Sequence, residues 1–253
     1  QTMMFSATWP APIRELSKQY QKSPVDVRAE EAGDNPDIEE LFYEVSPQSK
    51  SDAIVALLSQ REPESCIVFC TTKQQCDELA QELGERGFSA LPLHGDLEQR
   101  ERDSVLVRFG NQSCSILVAT DVAARGLDIK SLPLVINAEP ARDPEVHTHR
   151  IGRTGRAGRS GDAILFAANR ERRLLAAIEK ATGKAIEKMA LPTIEEVTDK
   201  RVGKFKQRIT ETLDVTELSL FRKVVEDYQH EYGVPVIDIA AALVSLAQGK
   251  QSL

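Results

Sequence analysis

Short runs of consecutive apolar residues recur along this chain, and stretches with helical periodicity alternate with them. Apolar runs lie at 66–69, 116–119 and 134–136, with amphipathic helical patterns at 73–86 and 98–109. A strand that is apolar at successive positions must be covered on both of its faces. Helices of 10 to 15 residues between such strands supply that cover as βαβ units around a parallel sheet. Further strand signals at 41–45, 90–93 and 161–168, and helical ones at 51–59 and 170–182, extend the alternation. The expected architecture is α/β, a parallel sheet with helices on both faces.

Ligands of such sheets gather at the loops beyond the carboxyl ends of the strands. The sequence concentrates its unusual residues there: Thr71-Thr72 after one strand, His94-Gly95-Asp96 after the next and Thr120-Asp121 after a third.

The two ends of the chain differ from this pattern. Met3-Met4-Phe5 reads as the end of a buried strand, Ser6-Ala7-Thr8 as the loop after it, and 10–20 as a short helix with Pro10 near its first turn. Ala32-Gly33-Asp34-Asn35-Pro36 is rich in turn formers and reads as a linker. Residues 1–32 are therefore expected to be the remnant of a preceding domain, and 33–191 the α/β domain. From 192 to 253 no strand signal remains. Leu218, Phe221, Val225, Tyr228 and Tyr232 recur at helical spacing, and beyond Gly233 and Pro235 so do Ile239, Ala240, Leu243, Leu246 and Ala247. A small all-α domain of this size has little core of its own, so it is expected to dock on the α/β domain or on a second copy of itself.

Composition removes several alternatives. No apolar run approaches the ~20 residues that a membrane span needs, so a cytoplasmic protein with no membrane contact is the expectation. The four cysteines, Cys66, Cys70, Cys76 and Cys114, form no CxxC pair, and no His or Cys spacing suits a metal. Buried thiols in a reducing compartment fit them. A formal net charge of -7 argues against a general nucleic-acid coat protein. Any polyanion must meet a local basic patch, and Arg142, Arg150, Arg153, Arg156 and Arg159, with Arg170, Arg172 and Arg173, offer one.

Two constellations carry the chemistry. In His149-Arg150-Ile151-Gly152-Arg153-Thr154-Gly155-Arg156, arginines three apart can point to the same side of one turn. Guanidinium groups stay charged, match phosphate oxygens in geometry and stabilise the charge of a phosphoryl group in transfer. A Gly/Arg-rich loop of this kind can equally be a solvated basic turn, or bind nucleic acid without catalysis. In Ala119-Thr120-Asp121-Val122-Ala123-Ala124-Arg125-Gly126-Leu127-Asp128, a buried strand runs into a polar pair, small residues, then Gly and Asp. Small residues let a polymer backbone approach, backbone N–H groups and the Thr120 hydroxyl can meet phosphates, and Asp128 is suited to accept from sugar hydroxyls. A capped helix with a surface Asp is the plainer alternative. No G-x-x-x-x-G-K-[ST] phosphate loop occurs in the sequence. Any nucleotide site is therefore only partly supplied by these residues.

Ser6-Ala7-Thr8, Ile67-Val68-Phe69, Gln99 with Arg102, the 119–128 segment and His149 to Arg156 together resemble, in order and spacing, the motif series of DEAD-box RNA helicases. The tail, from Arg170-Glu171-Arg172-Arg173 to Ala247-Gln248-Gly249, is similar to that of the bacterial cold-shock members. Leu93 to Arg100 reads closer to another bacterial branch. The resemblance implies the second RecA-like domain of an ATP-dependent motor that unwinds RNA as two such domains close. It implies that Arg153 and Arg156 reach the γ-phosphate of ATP held on the other domain, that Asp128 and Gly126 contact the nucleotide, and that His149 joins the nucleotide and RNA sites. Thr72, Gly95, Arg102, Thr120 and Asp121 would hold the RNA backbone with little sequence specificity, and Ser6 and Thr8 would couple ATP state to closure. It further implies ATP and Mg2+ held mainly by the first domain, no ATPase in this chain by itself, and a tail that makes a homodimer.

Overall fold

The computed structural model describes residues 2–5, 11–27, 38–125, 127, 131–155, 159–215 and 217–248. The chain divides into two compact units, Gln1–Asn35 and Pro36–Leu253.

In the first unit, helix α1 spans Ala11–Tyr20. Its last turn is extended by Gln21 N–H donating to the Ser17 carbonyl at 2.8 Å, while the Gln21 side-chain amide donates to the Thr2 carbonyl at 3.1 Å. The strand expected at Met3–Phe5 does not form: Met3 is 68% and Phe5 89% exposed. A strand is held by a neighbouring backbone, and the described residues of this unit offer none.

The second unit is built on a seven-stranded parallel sheet among the described residues, in the order β3-β4-β2-β5-β6-β1-β7. The strands are β1 (Ile38–Glu44), β2 (Cys66–Cys70), β3 (Ala90–Leu93), β4 (Ile116–Thr120), β5 (Leu134–Asn137), β6 (Gly161–Ala167) and β7 (Glu187–Met189). The helices between them are α2 (Lys50–Arg61), α3 (Lys73–Glu85), α4 (Gln99–Gly110), the single turn α5 (Asp121–Ala124), α6 (Pro144–Ile151) and α7 (Arg172–Thr182). This is the α/β architecture that the alternation of patterns predicts.

β2 shows why. Every one of its residues is buried, and strand pleating sends them alternately to two cores. Cys66, Val68 and Cys70 pack with Leu57, Leu83 and Phe166 on one face. Ile67 and Phe69 pack with Leu117, Val135 and Phe109 on the other. Each large apolar side chain so covered contributes about 1.5–3 kcal/mol relative to exposure. All four cysteines are buried and free. The Cys70 thiol is pushed well above its ordinary range by its contact with the Cys76 thiol and then by burial, so it stays protonated and unreactive.

Two elements escape the sequence pattern. All three residues of β7 are exposed and two are charged, and it exists because β1 offers it a backbone partner. α6 lies in what reads as a functional loop. Asp143 caps it, accepting from Glu145 N–H at 2.9 Å, and Pro144 occupies its first turn.

The helical tail consists of α8 (Ile194–Val215), α9 (Ser219–Tyr232) and α10 (Val236–Gln248). α8 lies against α2, where Lys204 pairs with Glu62, and Leu191 just before it packs on the first core. α9 buries none of its residues, and in α10 Ile239 is the one buried apolar residue among those described. Among the described residues no single helix is long and apolar enough to cross a membrane.

Candidate nucleotide and RNA site

The chain leaves β2 by way of α3, forms β3 and β4 on one side of it, then crosses to form β5 on the other. The carboxyl ends of β4, β2 and β5 therefore meet at a reversal of strand order, where a crevice opens above the sheet. Thr120 and Asp121 follow β4, Thr71 and Thr72 follow β2, and Asn137 closes β5 with Glu139 just beyond it. α6 lies over this end and delivers the arginine motif to it.

Arg150 is the centre of the assembly. It is only 3% exposed. Its Nε and Nη2 donate to the two carboxylate oxygens of Asp121 at 2.6 and 2.8 Å. Nη1 donates to Asn137 Oδ1 at 3.2 Å and to the Glu139 carbonyl at 2.9 Å. The guanidinium also lies 5.3 Å from the centre of the Phe69 ring. A buried charge costs several kcal/mol unless it is paired and hydrogen-bonded, and here a bidentate carboxylate and two oxygens satisfy it. Arg150 thus holds the start of α5 to α6. Asp121, which the family resemblance puts on the RNA side, has both carboxylate oxygens committed to this pair.

Beyond α6 the chain is stitched to the loop before β5. Leu132 N–H donates to the Arg153 carbonyl at 3.0 Å, and the buried Thr154 hydroxyl donates to the Leu132 carbonyl. Gly155 turns at φ +65°, a conformation that side chains disfavour. Gly161 is required by proximity, since a Cβ there would come within 1.8 Å of Thr154 Oγ1. These constraints place Arg153 half-buried, with Nη1 donating to the Leu127 carbonyl at 3.0 Å. Arg153, Asp121, Arg125, His149 and Arg150 line one small depression floored by Phe69 and Ala124. His149 and Arg125 are exposed on its rim.

The residues assigned to the RNA backbone lie along the same end of the sheet. Thr72 caps α3, accepting from Gln75 N–H at 3.2 Å, while its own N–H and hydroxyl donate to Gln75 Oε1, each at 3.0 Å. Gly95 is exposed in the turn after β3, and a Cβ on it would meet nothing nearer than Lys73 Cε at 3.8 Å. Packing within this chain therefore does not require a glycine there. Arg102 of α4 is half-buried and donates from Nη2 to the Ala123 carbonyl at 3.4 Å. Thr120 is buried at the end of β4. The structure brings Asp121, His149 and Arg153 together, and sets Thr72, Gly95 and Arg102 on neighbouring loops and α4. Ser6, Thr8, Gly126, Asp128 and Arg156 lie outside the described residues.

Sequence reasoning singles out neither Glu139 nor the bracing role of Arg150. Glu139 accepts from Thr71 N–H at 3.3 Å, the Thr71 hydroxyl at 3.2 Å, Gln75 Nε2 at 3.3 Å and Lys50 Nζ at 3.1 Å. The available signal is a polar Asn ending an apolar run and an acid two residues later, at the carboxyl end of a central strand.

Comparison with known proteins agrees with this geometry. The family model for the helicase conserved C-terminal domain matches residues 49–158, and that for the RNA helicase DeaD dimerization domain matches residues 192–253. The chain is 56% identical over 171 residues to the ATP-dependent RNA helicase DbpA of Escherichia coli, a match covering 68% of this chain and 37% of that protein. It is 43% identical over 253 residues to the ATP-dependent RNA helicase DeaD of Mycobacterium tuberculosis, covering 100% of this chain and 45% of that protein. The chain thus spans less than half the length of either relative. Among solved structures, S. cerevisiae Dbp5 bound to RNA and ADP BeF3 superposes with a TM-score of 0.67 at 32% identity, covering 79% of this chain and 53% of that one. With a RecA-like sheet, an arginine-bearing helix over its carboxyl edge and a helical tail matched by its own family model, the chain belongs to the DEAD-box RNA helicases.

Proposed function

We propose that this chain is the second RecA-like half of an ATP-dependent RNA helicase, completing the hydrolytic site across a cleft from a first RecA-like domain. The observation that carries it is the braced arginine helix. Arg150 is spent inside the fold on Asp121, Asn137 and Glu139, and this fixes the turn that presents Arg153 at the carboxyl edge of the sheet. Arg153, with Arg156, stabilises the charge spread over the γ-phosphate oxygens as the phosphoryl bond breaks. Asp128 and Gly126 contact the nucleotide, and His149 on the rim links the nucleotide to the RNA. Thr72, Gly95, Arg102 and Thr120 hold the RNA by sugar and phosphate, which gives low sequence specificity. Ser6 and Thr8 join the two halves. Closure bends the bound strand, a shape that a duplex cannot follow, and hydrolysis reopens the cleft.

Mg2+ does not fit the described residues. The described carboxylates beside the arginine helix are committed, Asp121 to Arg150 and Glu139 to Lys50, Thr71 and Gln75. The metal is therefore assigned to the first domain, and no step here runs through it. The exposed apolar side chains of α9 and α10 support a homodimer through the tail, and the buried free thiols suit the reducing cytoplasm.

The test is the Arg153→Ala variant of the complete protein. A loss of RNA-stimulated ATP hydrolysis of about 10³-fold or more, with RNA affinity retained, is the expected result. Equal loss of hydrolysis and RNA affinity favours a module that only binds RNA. Residues 1–253 alone are expected to hydrolyse no ATP, and steady RNA-stimulated turnover by them overturns the reading.

A further inference from the structure

We propose that Glu139 is a positioning residue, a strut that sets the spacing between the RNA-facing loop after β2 and the arginine-bearing helix α6. The inference rests on the helicase reading above. It assigns a mechanical link between the two ends of that site.

Glu139 makes hydrogen bonds to both places, its carboxylate to one and its backbone carbonyl to the other. Its carboxylate takes the backbone N–H and hydroxyl of Thr71, and the side-chain amide of Gln75. Gln75 is in turn the capping partner of Thr72. The backbone carbonyl of Glu139 takes Arg150 Nη1. A single residue therefore touches the loop that includes Thr72 and, through Arg150, the helix α6 whose following turn carries Arg153. A shift of its backbone moves both contacts together.

The site is built rather than incidental. The Glu139 and Lys50 side chains are each only 14% exposed, and their 3.1 Å ion pair is braced by Glu171, whose carboxylate is 4.0 Å from Lys50 and accepts from Ala168 N–H at 2.8 Å. Removing a carboxylate from water is costly, and here four donors from α2, α3 and the β2–α3 loop offset that cost. With the acid held by Lys50 from behind, a strand of RNA that orders the Thr71-Thr72 loop also fixes Glu139, and with it the Arg150 brace. The arginines then stand at their working distance only when the loop is engaged. A displacement of about 1 Å at a reacting centre can cost a hundredfold in rate, so a strut of this kind can govern turnover without touching RNA or nucleotide.

The experiment uses the complete protein and the Glu139→Gln variant. Gln keeps the shape but turns an amide NH2 toward Lys50 and Gln75 or toward Thr71, setting donor against donor. The readouts are kcat at saturating RNA, RNA affinity by fluorescence anisotropy, KM for ATP and the thermal midpoint. The expected result is a fall of about tenfold in RNA-saturated kcat, with RNA affinity and KM for ATP changed by less than about threefold. Lys50→Gln, which releases the acid from behind and touches neither the RNA loop nor α6, is expected to lower kcat in the same direction by a smaller factor. It serves as the deciding variant should Glu139→Gln fail to fold. An unchanged kcat in a folded variant overturns the proposal. So does a parallel loss of kcat, RNA affinity and thermal midpoint, which marks a merely structural residue. If the unmodified protein shows no RNA-stimulated hydrolysis, the helicase reading itself is wrong and the strut falls with it.

Discussion

Arg150 and Asp121 meet side-on, Nε to Oδ1 at 2.6 Å and Nη2 to Oδ2 at 2.8 Å, so the loop after β4 and the helix after β5 are joined by one part-buried bidentate pair. The arginine is buried and its partner carboxylate is 30% exposed. Asp121→Asn leaves the guanidinium in place with one of its two carboxylate bonds turned into a donor–donor clash. Breaking a buried pair from one side costs about 3 kcal/mol or more. Asp96→Asn, which dissolves the exposed pair with Lys73, is expected to cost under about 1 kcal/mol. Urea unfolding of both variants checks the contrast, and similar midpoints for the two mean that the Arg150 pair is not a brace.

Two glycines separate a requirement of the fold from a requirement of the ligand. Gly161→Ala places a methyl 1.8 Å from Thr154 Oγ1, so Thr154 must give up its bond to the Leu132 carbonyl or β6 must shift. Overpacking of this kind costs about 1–3 kcal/mol, and the displaced turn carries Arg153, so hydrolysis falls as well. Gly95→Ala meets open space beyond a 3.8 Å contact with a flexible lysine, and its thermal midpoint is expected to stay within the spread of surface substitutions, about 0.5 kcal/mol. RNA affinity is its readout, and a drop without loss of stability is the expected outcome.

The central strands were legible because burial on both faces leaves little choice of residue: β2 is apolar throughout, and β4 and β5 are apolar up to their polar last residues, Thr120 and Asn137. β7 was not, since Glu187, Lys188 and Met189 are exposed and only the neighbouring β1 makes them a strand. The arginine motif was legible as chemistry but not as architecture. Nothing in the spacing of Arg150 and Arg153 says that the first is buried against Asp121, 29 residues away, while the second stays half-buried at the edge. Glu139 illustrates the same limit: its five bonds reach α2, α3, the β2–α3 loop and α6, all brought together only by the order of the strands.

Acid should loosen the β1–β7 edge. Lys188 and then Arg172 hold the Glu44 carboxyl below its ordinary value of 4.5, with Arg172 Nη2 at 2.8 and 3.0 Å from its two oxygens. A depressed carboxylate contributes stability that is present above the unfolded value and is lost as pH falls through the lower folded one. Unfolding midpoints measured downward from pH 6 should therefore fall less steeply in Glu44→Gln than in the unmodified chain. The difference should shrink in high salt, because these groups are exposed. Parallel acid limbs for the two proteins remove Glu44 as a contributor.

The tail carries the strongest prediction about assembly. Leu220, Phe221 and Tyr228 of α9, with Ile237 and Leu246 of α10, are large and exposed, Phe221 at 60% and Leu246 at 77%. A two-helix unit with so much uncovered apolar surface gains about 1.5–3 kcal/mol for each such side chain that a partner covers. In the proposed homodimer a second copy would supply a matching surface through a twofold axis, where one residue change acts on both sides of the interface. Phe221→Asp combined with Leu246→Asp is therefore expected to weaken self-association by at least about a hundredfold, seen as a monomer mass by light scattering at micromolar concentration where the unmodified protein has twice that mass. Because both side chains are exposed in the single chain, circular dichroism and thermal midpoint measured on the monomer should be nearly unchanged. A monomeric unmodified protein at tens of micromolar would refute the dimer, and a double variant that stays dimeric would place its interface elsewhere than on α9 and α10.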